Sequence, residues 1–308
     1  MAISTEPSKT IDTLVPDIMA LFEKGHSVSD EVGRFADKLG AVFIDRFAKY
    51  AEEKEFYLRL SAIGRPLRQL WYDSRNTPKN GGITGQVKFK FLYGDILEEL
   101  ILFLAVEAGH TVEDLQRTVE VDGVPGHIDC RIDGVLVDVK SCSPRSFLKF
   151  KNGQLREDDP FGYIYQLSSY WSQIPAERAG FLAIDKVSGE LCFMELTRED
   201  RRTDGEVRER ITAVRSALAS DVEPARCYEP RPLSKTDKSG NLVLGVGCSY
   251  CDHRNHCWRD ANGGQGLKTY FYSTGPKHFV HIEKEPRVPS QSLVEVASED
   301  FKFPTRED

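Results

Sequence analysis

The stretch Gln116–Ser141, QRTVEVDGVPGHIDCRIDGVLVDVKS, constrains the fold more than any other part of this chain. Its β-branched residues alternate with polar ones, and Asp122-Gly123 and Asp133-Gly134 are hairpin-turn dipeptides. The pattern predicts three strands joined by hairpins. An apolar helical pattern precedes it from Lys88 to Ala108, through Phe91, Leu92, Ile96, Leu97, Leu100, Ile101 and Leu104. Residues 161–174 follow it with Tyr163, Leu167, Tyr170 and Trp171 at helical spacing. GFLAIDKVSGELCFMELT then reads as two strands about Ser188-Gly189, and residues 198–220 as a charged helix. This order predicts an α/β core with a mixed central sheet flanked by helices.

The flanks are read more coarsely. Leu14, Ile18, Leu21 and Phe22 share one helical face, Gly25 is a helix stop, and a second helical pattern runs from Ser29 to Ala51. Pro66 favours a helix start. Residues 73–87 read as a loop and 143–160 as a mobile basic loop. The expected organisation is a helical N-terminal region 1–57, a core 58–223, a Cys-rich segment 224–285 and a loose acidic tail 286–308. The chain lacks a run of eighteen apolar residues and a signal-peptide pattern, so the expectation is a cytoplasmic protein with no membrane partner. Seven cysteines without an export signal argue against a disulfide framework. Forty-one basic against 48 acidic residues give a net charge of −7, which excludes a generally basic nucleic-acid coat but leaves room for a local basic groove.

Gly126-His127-Ile128-Asp129 precedes Asp138-Val139-Lys140 across the Asp133-Gly134 turn. Hairpin geometry can bring Asp129 and Asp138 together. Two close carboxylates repel unless a cation neutralises them, and Mg²⁺ or Mn²⁺ suits oxygen ligands. Lys140 falls on the same strand face as Asp138 and can help orient a metal-bound water or stabilise charge on a phosphate. The helix before the hairpins offers a third carboxylate in Gly94-Asp95-Ile96-Leu97-Glu98. Glu98 is the first choice and Glu99 the one-residue alternative. Gln166 and Tyr170 are an i, i+4 pair on the next helix, suited to positioning a phosphate or a lysine.

Cys248-Ser-Tyr-Cys251 and Cys257 form C-x2-C-x5-C, with Cys227 upstream. Four thiolates suit a tetrahedral Zn²⁺ or a [4Fe–4S] cluster. His253 and His256 could serve a zinc site but read first as polar surface. Arg59, Arg65 and Arg68 recur on one segment, and Ser141, Arg145 and Lys149 follow the D-x-K strand with Phe147 and Phe150. Basic, hydroxyl and aromatic residues together suit a single-stranded or frayed DNA backbone.

The ordered set (G-x3-E on a helix, G-x2-D and D-x-K on strands, Q-x3-Y on the next helix) resembles the RecB-like branch of the PD-(D/E)XK nuclease superfamily over roughly residues 58–260. The resemblance implies a restriction-endonuclease-like core. Glu98, Asp129, Asp138 and Lys140 would form a metal-dependent phosphodiesterase site, with Gln166 and Tyr170 as the accessory motif. The helix motif lacks the histidine common in the family. The cysteine spacing looks like the C-terminal triplet of iron–sulfur members, including CRISPR-associated exonucleases. Their fourth cysteine would fall near Pro66, so Cys227 is expected to supply that ligand here. The implied activity is a phage-type DNA exonuclease in replication, recombination or degradation, working in a host cytoplasm. Its partners would be linear ends or single strands of DNA, and single-strand-binding or recombination proteins. The alternatives are a structure-specific endonuclease on the same core, a non-catalytic nucleic-acid-binding module and a CRISPR adaptation nuclease.

Overall fold

A computed structural model describes residues 9–51, 55–79 and 85–290. In chain order the elements are α1 (Leu14–Lys24), α2 (Glu31–Ala51), α3 (Leu67–Ser74), α4 (Gly85–Glu107), β1 (Val112–Glu113), β2 (Thr118–Val121), β3 (Val124–His127), β4 (Cys130–Ile132) and β5 (Val135–Cys142). They continue as α5 (Pro144–Lys151), α6 (Tyr163–Trp171), β6 (Ala179–Asp185), β7 (Leu191–Glu195), α7 (Asp204–Ala219), β8 (Arg231–Pro232), β9 (Leu242–Val243), β10 (Lys268–Tyr272) and β11 (Gly275–His281). The chain divides into two compact units. Residues 9–65 and 85–219 make the first, and 66–79 and 220–290 the second. Among the described residues, no helix is long and apolar enough to cross a membrane.

The first unit is built on a five-stranded mixed sheet ordered β1-β4-β5-β6-β7. Only β5 and β6 run parallel, with Asp138 beside Phe181 and Lys140 beside Ala183. A parallel pair needs a crossover, and α5 and α6 supply it. Helices cover both faces, as the sequence predicts. Leu14, Ile18, Ile101 and Leu102 pack on Val135, Val137 and Val139, while Phe147, Leu167, Tyr170 and Ile211 pack with Leu136, Phe181 and Ala183. This alternation along β5 puts Asp138 on the α6 side.

Two expectations are corrected. The hairpin region forms four strands rather than three. Both turns carry two positive φ values, at Asp122-Gly123 and Asp133-Gly134, as tight hairpins require. The ladder changes partner at Ile128-Asp129, however. β2 and β3 make a separate ribbon, and β4 joins the main sheet. Asp129 therefore sits in the break between two strands. The basic stretch after β5 is also no loop: Ser143 caps α5 by accepting from the Ser146 N–H at 3.4 Å, Pro144 occupies its first turn, and Phe147 and Phe150 are buried in the core.

Two glycine contacts set the approach of α6. Gly64 and Gly162 cross so closely that a Cβ on either would stand within 2.5 Å of the other's backbone. A Cβ on Gly126 would stand 2.7 Å from the Tyr170 ring and 2.9 Å from Leu60. The glycine before Asp129 is thus a packing requirement. Gly126→Ala is expected to destabilise the fold by about 1–3 kcal/mol, as overpacking does. Urea unfolding checks this, and an unchanged midpoint would contradict it.

In the second unit, β10-β11-β9-β8 form an antiparallel sheet around Val243, Tyr270 and Phe279. His253, read from sequence as surface, is completely buried, and its Nε2 lies 2.9 Å from Asp73 Oδ1. Burial with a carboxylate partner makes it structural.

Candidate active site

Asp138 and Lys140 lie two residues apart on β5, so the pleat turns both to one side. Asp138 is 1% exposed, and Lys140 Nζ forms an ion pair with its Oδ2. The Lys140 ammonium stands 4.8 Å from the centre of the Tyr163 ring. On α6, Gln166 Nε2 donates to Asp138 Oδ1 at 3.0 Å and to the Tyr170 hydroxyl oxygen at 3.4 Å. The α6 start is fixed by Asp159, whose carboxylate accepts from the N–H groups of Tyr163 and Ile164, each at 2.9 Å.

Asp129, in the strand break, turns back onto β5, and its Oδ2 accepts from the Val139 N–H at 2.7 Å. Glu98 approaches from α4. Gly94 brings that helix close to β5, where an added Cβ would stand 3.1 Å from Ser141 Oγ. Glu98 rather than Glu99 faces the aspartates: Glu99 pairs with Lys38 on α2 at 3.4 Å.

Sequence reasoning misses Gln116. Its Nε2 donates to Glu98 Oε1 at 3.0 Å, and its backbone N–H donates to the Asp129 carbonyl at 3.0 Å. Its φ of 52° lies in the left-handed region. One loop residue therefore braces two of the three acids. No local pattern signals this, because both partners are distant in sequence or reached through the backbone.

The electrostatics of the trio are strained in one direction. Burial, then the Asp138 charge, pushes Glu98 up to about 7. Burial, then the charges of Asp138 and Glu98, raises Asp129 well above the ordinary carboxylate range. Burial also raises Asp138, opposed by Lys140. Burial works against the Lys140 charge, but Asp138 and Asp129 outweigh it and hold the ammonium protonated. One ammonium thus faces three carboxylates that each resist ionising. A hard divalent cation would relieve that repulsion, and all the donors are oxygens, so this set fits Mg²⁺ or Mn²⁺. Among the described residues, no three His, Cys, Asp or Glu side chains already stand in metal-ligating geometry.

A cavity of about 430 Å³ opens on Glu98, Val139, Lys140 and Ser141. Of the expected DNA contacts, Ser141 lines it. Arg145 is exposed on α5, Lys149 pairs with Asp158 at 2.7 Å, and the Arg59 guanidinium lies 5.3 Å from the Tyr57 ring. Arg65 is half-buried and its carbonyl accepts from Arg210 Nη2 at 2.5 Å. Arg68 belongs to the second unit, where it pairs with Glu223 at 2.5 Å and donates to the Pro224 carbonyl at 2.6 Å.

All four C-terminal cysteines are free thiols. Cys227, Cys251 and Cys257 are electrostatic neighbours of Cys248. Burial pushes Cys248 up to about 12 and Cys251 up to about 11. Burial also raises Cys227, opposed by the backbone N–H groups of Arg68 and Gln69 in the first turn of α3. The sulfur of Cys227 therefore lies beside the segment that begins at Pro66.

No protein-family model matches the chain, and no curated protein matches it. Among solved structures, a protein described as SSO0001 is similar at 14% identity and a TM-score of 0.40, over 71% of this chain and 93% of that one. A phage-related exonuclease from Haemophilus somnus is 14% identical at a TM-score of 0.37, over 54% of this chain and 94% of that one. An alkaline exonuclease from Laribacter hongkongensis is 15% identical at a TM-score of 0.31, over 51% and 88%.

Proposed function

We propose that this chain is a divalent-metal-dependent nuclease that hydrolyses DNA from its ends. The observation that carries the reading is the trio of buried Asp138 and half-buried Glu98 and Asp129, with Lys140 held protonated beside it. The mixed sheet with helices on both faces is consistent with a restriction-endonuclease-like core. Glu98, Asp129 and Asp138 would hold Mg²⁺ or Mn²⁺, which supplies an acidified water and neutralises phosphate charge. Lys140 presents a fixed ammonium to a phosphoryl oxygen or to the attacking water. Gln166 fixes the Asp138 carboxylate by its Oδ1, and the buried Tyr170 stays neutral because burial, then the Asp138 charge, raises its hydroxyl. An end-labelled linear duplex and a covalently closed circle test the exonuclease half of this reading. Loss of the linear molecule alone supports it. Equal cutting of the circle makes the enzyme an endonuclease.

The brace on Glu98 yields a separate expectation. Gln116→Leu removes the amide that orients this carboxylate while leaving the backbone bond to Asp129 possible. The half-saturating Mn²⁺ concentration for cleavage is expected to rise about 10- to 100-fold, as when an outer partner of a ligand is lost. An unchanged Mn²⁺ requirement would remove Gln116 from the site.

The four cysteines are proposed to bind a second metal group, as [4Fe–4S] or Zn²⁺, that staples the second unit. Buried thiols with shared thiol neighbours fit either group. Iron and sulfide in equal amounts in the purified protein identify the cluster, and one colourless zinc identifies the alternative. Retention of full metal content by Cys227→Ser would exclude Cys227 as a ligand.

A further inference from the structure

We infer that the cavity beside the acidic trio seats one unpaired nucleotide of a DNA strand, with a backbone phosphate on Lys90 and Lys186 and the base against Phe91. The inference rests on the nuclease reading and names the form in which the site takes its substrate. At about 430 Å³ the cavity has the size of pockets that hold one small organic ligand, about 300–1,000 Å³. A base pair with both its backbones does not fit such a space, so the cavity itself takes one strand only.

The wall chemistry matches one nucleotide. Arg46, Lys90, Lys140 and Lys186 all line the cavity. Arg46 is committed to Asp95 and Lys140 to Asp138. Lys90 and Lys186 enter no ion pair among the described residues, and they reach the cavity from separate elements, α4 and the β6–β7 turn. Lys186 is held in place. Asp185, itself buried, accepts from the Val187 N–H at 3.0 Å and from Ser188 Oγ at 2.8 Å, and the Lys186 N–H donates to the Cys142 carbonyl at 3.0 Å. These bonds fix the backbone that carries Lys186, so only its side chain remains to be ordered when a phosphate arrives.

The aromatic residue is equally specific. Tyr163 is already stacked on Phe161, ring centres 5.5 Å apart, with Lys140 over its face. Phe91 lines the same cavity yet is 46% exposed, with the Arg46 guanidinium 6.0 Å from its ring centre. An exposed ring that shares a cavity with lysines in no ion pair is the arrangement that binds single strands without sequence preference, because every base has a stacking face.

The test uses full-length protein carrying Asp138→Ala, so that DNA survives, and fluorescence anisotropy with a labelled single strand and a blunt duplex of equal length. The single strand is expected to bind more tightly than the duplex. Adding Phe91→Ala should weaken single-strand binding by about 5- to 150-fold, and Phe91→Leu by less than that. Adding Lys90→Ala with Lys186→Ala should flatten the slope of log affinity against log salt by about 0.7, the share of one phosphate contact. Melting curves confirm that each variant is folded. If Phe91→Ala binds within twofold of its parent and the lysine pair leaves the slope unchanged, the subsite is wrong, while digestion by the unmutated protein keeps the nuclease reading. Tighter binding of the blunt duplex also overturns the subsite. If the unmutated protein digests no DNA, the reading beneath it fails as well.

Discussion

Asp129→Asn is expected to abolish DNA cleavage and, in the presence of a chelator, to raise the melting temperature of the protein. The two effects share one cause. Asp129 is half-buried beside Asp138 and Glu98, whose charges raise it. Asparagine keeps an oxygen to accept from the Val139 N–H but removes one of the three repelling charges. A metal ligand is lost, so cleavage is expected to fall by about 10³ or more, as when a group bearing on transition-state charge is removed. Relief of repulsion is expected to add about 1–2 kcal/mol, a usual gain where function has held a site off its stability optimum. For a protein of this size that is about 1.5 °C per kcal/mol. The gain must also depend on pH. Glu98 is raised from its ordinary 4.5 to about 7, so the folded chain keeps a proton there that the unfolded chain has released. Metal-free stability therefore falls as pH rises from about 4.5 to about 7 and levels off above it, by roughly 3 kcal/mol for this group. Asp129→Asn should flatten that decline, and saturating Mg²⁺ should offset it in the unmutated protein. Melts between pH 5 and 8 measure this. A variant that melts below the parent at pH 8 with chelator present would show that the trio is not a strained metal site.

Lys140→Met should move stability the other way. Asp138 is almost wholly buried, and the counter-charge on its Oδ2 among the described residues is Lys140. Removing one partner of a buried pair strands the other, at a cost of about 3–5 kcal/mol. Cleavage should fall by about 10²–10³ from the loss of a positioned positive charge. Lys140→Arg should not rescue fully, because a planar fork does not replace a compact ammonium packed against the Tyr163 ring. Chelated protein unfolded in urea gives the stability change. A loss under about 1 kcal/mol would mean that Asp138 is neutral at working pH and that the ion pair carries little.

Much of this arrangement is legible in the amino-acid sequence alone. The apolar period from Lys88 to Ala108 is α4, and the two Asp-Gly turns lie where the dipeptides put them. Asp138, Lys140, Gln166 and Glu98 converge because a strand, a crossover helix and a preceding helix have few ways to pack. The strand break at Ile128-Asp129 is hidden because β-type residues lie on both sides of it. The α5 helix is hidden because Phe147 and Phe150 are its only buried residues in a basic stretch; its usable signal is Ser143 followed by Pro144, a cap and a first-turn proline. Gln116, Lys90 and Lys186 carry no motif, and their roles come from tertiary neighbours alone. Arg68 has partners that its sequence position does not reveal. Its charge suggests DNA, whereas Glu223 and the Pro224 carbonyl already engage it.

The most direct measurement is digestion of 5′-labelled linear DNA, double- and single-stranded, with Mg²⁺ or Mn²⁺, by the unmutated protein and by Asp138→Ala. Degradation that needs the metal, stops with a chelator and disappears in Asp138→Ala is the expected result. Equal degradation by both proteins, or none by either with both metals, would contradict the assignment of Glu98, Asp129, Asp138 and Lys140 as a nuclease site.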